Sequence, residues 1–280
     1  MIRIAVTGST GFIGRHVLKE LEKHDVEVIG VTREIQRGLP EIRNGHWLAF
    51  DLKNGCDNLL ELLGRPDVLI HLAWSGLPNY NSLHHFEIEL PIQYYFLKRI
   101  VAEGLKTLLV AGTCFEYGMQ FGPLSENMNA NPTNPYGLAK KTLYRQLVFL
   151  NASMPFNLIW PRIFYVYGKG QAENSLYSQL QSAVAAGKVF NMSGGEQLRD
   201  YLPVEFIAKS IVLLALKQSN IGLVNVCSGN PISVRALVEH WIQDNNWDLK
   251  LNLGYYSYPE YEPMAFWGAR GKFDKIFENE

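Results

Sequence analysis

Thr7-Gly8-Ser9-Thr10-Gly11-Phe12-Ile13-Gly14 is the stretch on which the fold of this chain turns. It follows an apolar run, Ile2–Thr7, and opens a segment of helical period, Phe12–His24, so its glycines fall at a strand-to-helix turn. In that context each glycine has a task. Gly8 permits the tight turn, Gly11 lets the backbone approach a diphosphate, and Gly14 lets the helix pack closely on the strand. The helix N-terminus, beginning at Phe12 and Ile13, adds N–H donors and the positive end of its dipole. The expectation is a dinucleotide site.

Working outward, the same alternation recurs. The runs Val26–Thr32, His46–Phe50, Val68–Leu72, Thr107–Ala111 and Phe156–Ile163 are mostly continuous in apolar residues, as strands covered on both faces are. Segments of helical spacing separate them: Phe12–His24, the stretch around Leu59–Leu63, Ile92–Glu103 and Tyr136–Leu150. The expected class is α/β, a Rossmann-type doubly wound parallel sheet over residues 1–165. After Phe164 the texture changes to Gly, Asn, Ser and Tyr; Ser175–Gly187 and Val234–Trp241 read as helices and Asn225–Ser228 as a strand. A smaller C-terminal α/β substrate lobe is expected from residues 166–198 and 226–280. About residues 199–225, with the long apolar helix Val204–Lys217, would complete the first domain. The aromatic end, Tyr255–Trp267, reads as core of the lobe or as lining of a cleft.

Composition excludes several classes. The 280 residues carry 26 Lys+Arg against 27 Asp+Glu, a net charge of −1, so no global field holds a nucleic acid or an anionic membrane. An anionic ligand must be held by local devices. Cys56, Cys114 and Cys227 lie far apart, against both a disulfide scaffold and a zinc ribbon. His84 and His85, beside Glu87, would point apart on a helix, so no metal is expected. With no cleavable signal pattern and no apolar run near the ~18 residues of a span, the expectation is a cytoplasmic protein.

After the second strand comes Thr32-Arg33 rather than an acidic residue, which favours the 2′-phosphate of NADPH over the free ribose of NADH. Arg15 is a second guanidinium expected at that end, and Ser9 could donate to the same phosphate. Glu34 beside Arg33 leaves NADH open. Tyr136 and Lys140 lie one helical turn apart on one face, after the turn Asn131–Pro135 that would start their helix. The lysine and a cofactor's positive charge are expected to depress the phenol pKa, fitting it to pass a proton to a carbonyl oxygen. Thr113, near a strand end, could hydrogen-bond the same oxygen.

The ordered motifs TGSTGFIG (Thr7–Gly14), Asp51-Leu52, HLAW (His71–Trp74), GTCFEYG (Gly112–Gly118), NPYGLAK (Asn134–Lys140), PRIFYVYGKGQ (Pro161–Gln171), RDYLPVEFIA (Arg199–Ala208) and VNVCSG (Val224–Gly229) cover nearly the whole chain. Together they resemble the extended short-chain dehydrogenase/reductases, in the branch that acts on nucleotide sugars. The resemblance implies a catalytic triad of Thr113, Tyr136 and Lys140, with Asp51 and Leu52 at the adenine and Leu72, Ala73 and Trp74 lining the cofactor cleft. It implies Arg199 on the diphosphate of the sugar nucleotide, Asn174 and Ser175 near the substrate, and a homodimer formed by two helices. Ile92–Val101 and Leu138–Leu150 offer apolar faces for that pairing.

Departures from the family pattern narrow the reaction. Cys114 and Phe115 stand where 4,6-dehydratases of this resemblance carry Asp-Glu. Phe115 also stands where enzymes that epimerise and reduce GDP-keto sugars carry a cysteine. Arg33 stands where NAD-retaining 4-epimerases carry an acid. What remains similar is the group of 4-ketoreductases that complete dTDP- or CDP-linked deoxyhexoses. The implied reaction is reduction of a dTDP-4-keto-6-deoxyhexose by NADPH, or NADH, to dTDP-fucose or dTDP-6-deoxy-L-talose for bacterial surface polysaccharide. A 4-epimerase with tightly bound NAD and a non-catalytic NADP sensor stand as alternatives. Ser75–Tyr80 is expected to form a loop over the site, with Asn79 and Tyr80 as sugar contacts; Tyr165 replaces the Asn more usual in relatives.

Overall fold

The computed structural model describes residues 1–258 and 262–278. Its main sheet contains β1 (Ile2–Thr7), β2 (Val26–Thr32), β3 (Gly45–Ala49), β4 (Val68–His71), β5 (Thr107–Val110), β6 (Asn157–Ile163) and β7 (Gly222–Val226). These pair in parallel in the order β7-β6-β5-β4-β1-β2-β3. The winding reverses between β1 and β4, and the crevice beyond their carboxyl ends is where such sheets take ligands. Beyond β5, which lies between β4 and β6, the short strand Gly112–Thr113 pairs with β6 alone, opposite Arg162 and Ile163. That step carries Thr113 to the carboxyl edge.

Six helices matter to the site: α1 (Phe12–Leu21), α2 (Leu90–Ala102), α3 (Pro135–Ser153), α4 (Leu176–Ala185), α5 (Val204–Leu216) and α6 (Val234–Asp244). Adjacent strand residues face opposite layers, which explains the continuous apolar runs. Ile4 and Val6 join Val17 and Leu21 of α1 and Ile207 and Ile211 of α5 in one core. Ala5, Ile29 and Leu69 join Phe96 and Leu97 of α2 and Leu143 and Leu147 of α3 in the other. A separate core beyond the sheet unites Leu180 of α4, Phe190 and Met192 with Leu237, Val238 and Trp241 of α6.

Several boundaries differ from expectation for local reasons. A π-helical turn, His85–Glu89, runs into α2, which therefore starts before Ile92. The strand expected at Asn225–Ser228 is β7, begun earlier at Gly222, where φ is +66°. The aromatic end divides: Phe266 is buried, while Tyr255 and Tyr256 are exposed. Tyr261 of that stretch lies outside the described residues. No helix among the described residues is long and apolar enough to cross a membrane.

At the opening turn, Gly8 has φ +70°, and a Cβ there would stand 2.7 Å from the Ala73 nitrogen. A Cβ on Gly14 would overlap the Gly8 carbonyl oxygen. The first turn of α1 therefore sits directly on the loop. Gly14→Ala should cost about 2 kcal/mol or more by overpacking. Gly55→Ala, where a Cβ meets nothing within 4 Å, should cost under about 0.5 kcal/mol. Denaturant unfolding of the two variants checks this; equal small losses would contradict the packing role of Gly14.

Candidate active site

Two confluent clefts, of about 880 and 710 Å³, share Gly8, Gly11, Leu72, Trp74 and Leu77 at the carboxyl edge of the sheet. Gly11 precedes α1 and its nitrogen donates to the Gly8 oxygen at 3.0 Å. The first intrahelical bond, from the Arg15 nitrogen to the Gly11 oxygen, leaves the early N–H groups of the helix without carbonyl partners inside it. Phe12, Ile13 and Gly14 line the larger cleft at this point. The smaller cleft runs over Thr32, Arg33, Asp51, Leu52, Leu72, Ala73 and Trp74. These residues fit a dinucleotide: a side-chain-free cradle at the helix N-terminus for the diphosphate, and a polar arm ending at Arg33 and Asp51. No carboxylate pairs with Arg33 among the described residues, although Glu34 lines the same arm.

Two residues expected at the adenosine phosphate lie elsewhere. The Ser9 hydroxyl is fully buried and donates to the Val31 oxygen at 2.7 Å, so it ties the turn to β2. Arg15 leaves the first turn of α1 in the other direction and donates to the Gly170 oxygen at 3.2 Å. Only Arg33 of the expected cationic pair lines the cofactor arm.

The triad residues converge on the floor of the larger cleft. Asn134 caps α3 by accepting from the Gly137 nitrogen at 2.8 Å, with Pro135 in the first turn, and this presents Tyr136 and Lys140 inward. The Thr113 hydroxyl oxygen accepts from the Phe115 nitrogen at 3.3 Å and shares a hydrogen bond with the Tyr136 phenol. Lys140 is buried; its amine donates to the Ala111 oxygen at 2.9 Å and stands 3.9 Å from the centre of the Trp74 ring. Burial lowers its pKa from 10.5 to about 7. Burial pushes the Tyr136 phenol up, not down. The expected depression is absent because desolvation of the phenolate dominates and the lysine amine is aimed at the backbone.

Buried polar groups that no local motif revealed hold this set in place. Glu116 accepts from the Thr113 nitrogen and the Trp160 indole, each at 2.9 Å, and from Arg162 Nε at 2.8 Å. His71 accepts from the Thr7 hydroxyl at 2.8 Å and donates to Gln93 Oε1 at 2.7 Å, while Gln93 Nε2 donates to Glu89. Burial lowers the His71 pKa to about 3, so the ring is neutral. Glu89 also accepts from the backbone and hydroxyl of Ser75, anchoring the loop that bears Asn79 and Tyr80. His84 and His85 bond to Ser75, Trp74 and Asn79. Among the described residues no group of three or more His, Cys, Asp or Glu is placed to hold a metal ion.

On the substrate side, Tyr80, Asn174 and Ser175 line the cleft, and the Ser175 hydroxyl also caps α4. Tyr80 packs its ring 5.6 Å from that of Tyr136, and its carbonyl accepts from the Tyr136 nitrogen at 3.1 Å. Arg199 does not line the cleft. It is 3% exposed and donates to Glu262 at 2.9 Å and to the carbonyls of Leu198 and Met264, so the diphosphate role expected of it is corrected to a buried ion pair. Tyr165, Tyr167, Tyr177, Tyr201 and Trp241 complete the wall.

The model of the NAD dependent epimerase/dehydratase family matches residues 4–227. The chain belongs to that family. Relatives of the family include dTDP-6-deoxy-L-talose 4-dehydrogenase (NAD(+)) of Aggregatibacter actinomycetemcomitans, 31% identical over 96% of this chain and all of that protein. The dTDP-6-deoxy-L-talose 4-dehydrogenase (NAD(P)(+)) of Kitasatospora kifunensis is 29% identical over 87% of this chain and 79% of its own. In fold, the chain is similar to UDP-glucuronic acid 4-epimerase from Bacillus cereus, solved with UDP-glucuronic acid and NAD. The TM-score is 0.83 at 21% identity, covering 100% of this chain and 94% of the other.

The buried lysine has a thermodynamic signature. Its folded pKa of about 7 lies below its ordinary 10.5, so the unfolded chain binds more protons between those values and stability rises with pH across that window. Lys140→Met removes this penalty. In cofactor-free protein its Tm should exceed that of the wild type most at pH 7 and below, and the difference should shrink as pH rises toward 10.5. A difference independent of pH would contradict the desolvated amine.

Proposed function

We propose that this protein reduces the C4 keto group of a dTDP-linked 4-keto-6-deoxyhexose, with NADPH preferred and NADH accepted. The observation that carries the reading is the convergence of Thr113, Tyr136 and Lys140 in a cleft that opens directly from the glycine cradle. The deoxytalose dehydrogenases among the relatives support the sugar class, since their reactions join a nucleotide-linked 4-keto sugar and its alcohol. Retention of the whole triad speaks against a non-catalytic sensor.

When bound, the dihydronicotinamide supplies the hydride. The chain's own residues manage the carbonyl oxygen. The Thr113 and Tyr136 hydroxyls, which share a hydrogen bond, can both turn to a substrate oxygen placed between them, while the Phe115 N–H keeps its hold on the Thr113 oxygen. Burial holds the Tyr136 phenol protonated at neutral pH, as a donor to a forming alkoxide must be. One hydride at carbon and one proton at oxygen complete the alcohol. Lys140, one helical turn from Tyr136 in the same cleft, offers a buried amine donor to the bound cofactor. Asn79, Tyr80, Asn174 and Ser175 supply polar groups for the sugar nucleotide in the same cleft. Tyr95 and Phe149, exposed on α2 and α3, support self-association through those helices into a homodimer.

Tyr136→Phe should lower kcat by about 10²–10⁴-fold while retaining NADPH affinity measured by fluorescence quenching; unchanged turnover would contradict the proton-donor role. Arg33→Ala should shift the ratio of kcat/KM for NADPH over NADH toward NADH by about 10–100-fold. An unchanged ratio would contradict the assignment of Arg33 to the 2′-phosphate.

A further inference from the structure

The wall of the substrate cleft beside the triad is built of rings. Phe115 lies two residues beyond Thr113, and its ring centre is 4.7 Å from that of Tyr80 and 6.4 Å from those of Tyr136 and Tyr165. Tyr165 lies 4.9 Å from Tyr201 and 5.9 Å from Phe266. Among the described residues that line this cleft, Lys140 is the only charged side chain. Arg199 and Glu262 stand behind the wall, paired with each other at 2.9 Å. The Tyr165 hydroxyl donates to the other oxygen of Glu262 at 2.6 Å, so the residue turns its polar end to the protein and leaves its ring to the cleft. The Arg199 guanidinium is held in turn over the Phe266 ring, 4.6 Å from its centre.

We infer that Phe115 and Tyr165 are specificity-determining residues that select a methyl group at C5 of the hexose against a hydroxymethyl or a carboxylate, with the Glu262–Arg199 pair fixing the Tyr165 ring. The inference rests on the 4-ketoreductase reading above. With the C4 oxygen held by Thr113 and Tyr136, C6 is only two bonds from the reacting carbon and is confined to the surface beside them. Phe115 is the residue that joins Tyr136 to Tyr165 on that surface. A methyl against these faces removes apolar area from water. A hydroxyl there gives up its water to ring faces that offer it no strong partner, and apolar pockets discriminate against an added hydroxyl by about 100-fold. A carboxylate fares worse, because the nearest guanidinium is already neutralised by Glu262. The same wall accounts for Tyr165 in the position where Asn is more usual: an amide there would offer hydrogen bonds to a polar C6.

The test uses dTDP-hexose pairs that differ only in carrying methyl or hydroxymethyl at C5, one pair for each configuration at C4 and C5. Oxidation of each by the full chain with NADP⁺ gives kcat/KM, and calorimetry with cofactor-loaded Tyr136→Phe gives affinity. For the pair that is turned over, the expected preference for the 6-deoxy member is about 100-fold in kcat/KM, with the same order in affinity. Tyr165→Asn and Phe115→Ser should each lower the ratio by about 10-fold or more, mainly through KM, whereas Tyr165→Phe, which keeps the ring and loses only its tether to Glu262, should lower it by less. Equal use of both members by the wild type would overturn the wall while leaving the ketoreductase reading intact. Turnover of no pair, with no binding, would overturn both. The wild-type comparison decides even if a variant fails to fold.

Discussion

Burying the Lys140 amine beside the Trp74 ring is unfavourable to the fold, and the neighbouring elements are arranged around it. Its hydrogen-bond partner is the carbonyl of Ala111, which lies between β5 and the short strand Gly112–Thr113. There the chain leaves β5, between β4 and β6, and continues against β6 alone, so a carbonyl at the change of partner is open to a side-chain donor. The same step sets Thr113 beside Tyr136. A single break in the ladder thus provides both an anchor for the lysine and the position of the Thr113 hydroxyl on the floor of the cleft.

The buried charge nearest this part of the floor is paired, although Arg162 Nη1 is left without a hydrogen-bond partner among the described residues. Glu116 is fully buried, yet it is matched by Arg162 and by the N–H groups of Thr113 and Trp160. His71, also fully buried, is neutral and satisfied on both nitrogens by Thr7 and Gln93. Removing either partner of such a pair costs more than the pair contributes, because the remaining group stays desolvated. The site is therefore rigid at its floor. Its outer wall, by contrast, is made of rings and short polar side chains, and the cationic group expected there, Arg199, is withdrawn behind them.

What could be read from the sequence was what depends on short spacing. The turn at Gly8–Gly14 required only a strand before it and a helix after it, and Tyr136 with Lys140 required only a helical turn between them. The doubly wound sheet followed from runs of apolar residues that must be covered on both faces. Side-chain direction after the turn was a different matter. Ser9 follows a glycine with positive φ and points inward to Val31, and Arg15 reaches a carbonyl 155 residues away. Nor could spacing pair Arg199 with Glu262, 63 residues on, or predict that desolvation outweighs a neighbouring ammonium at Tyr136. Long-range pairing and burial are properties of the assembled fold, and in each of these cases they overrode the local reading.

Direction of a hydride to C4 of a nucleotide-linked sugar is the work proposed for these residues. The most direct measurement supplies NADPH deuterated at the transferable position together with dTDP-4-keto-6-deoxyglucose, and locates the label in the product by nuclear magnetic resonance. One deuterium is expected, at C4, with one NADPH consumed per product. Label at another carbon, or a reduced sugar that carries no label, would contradict it.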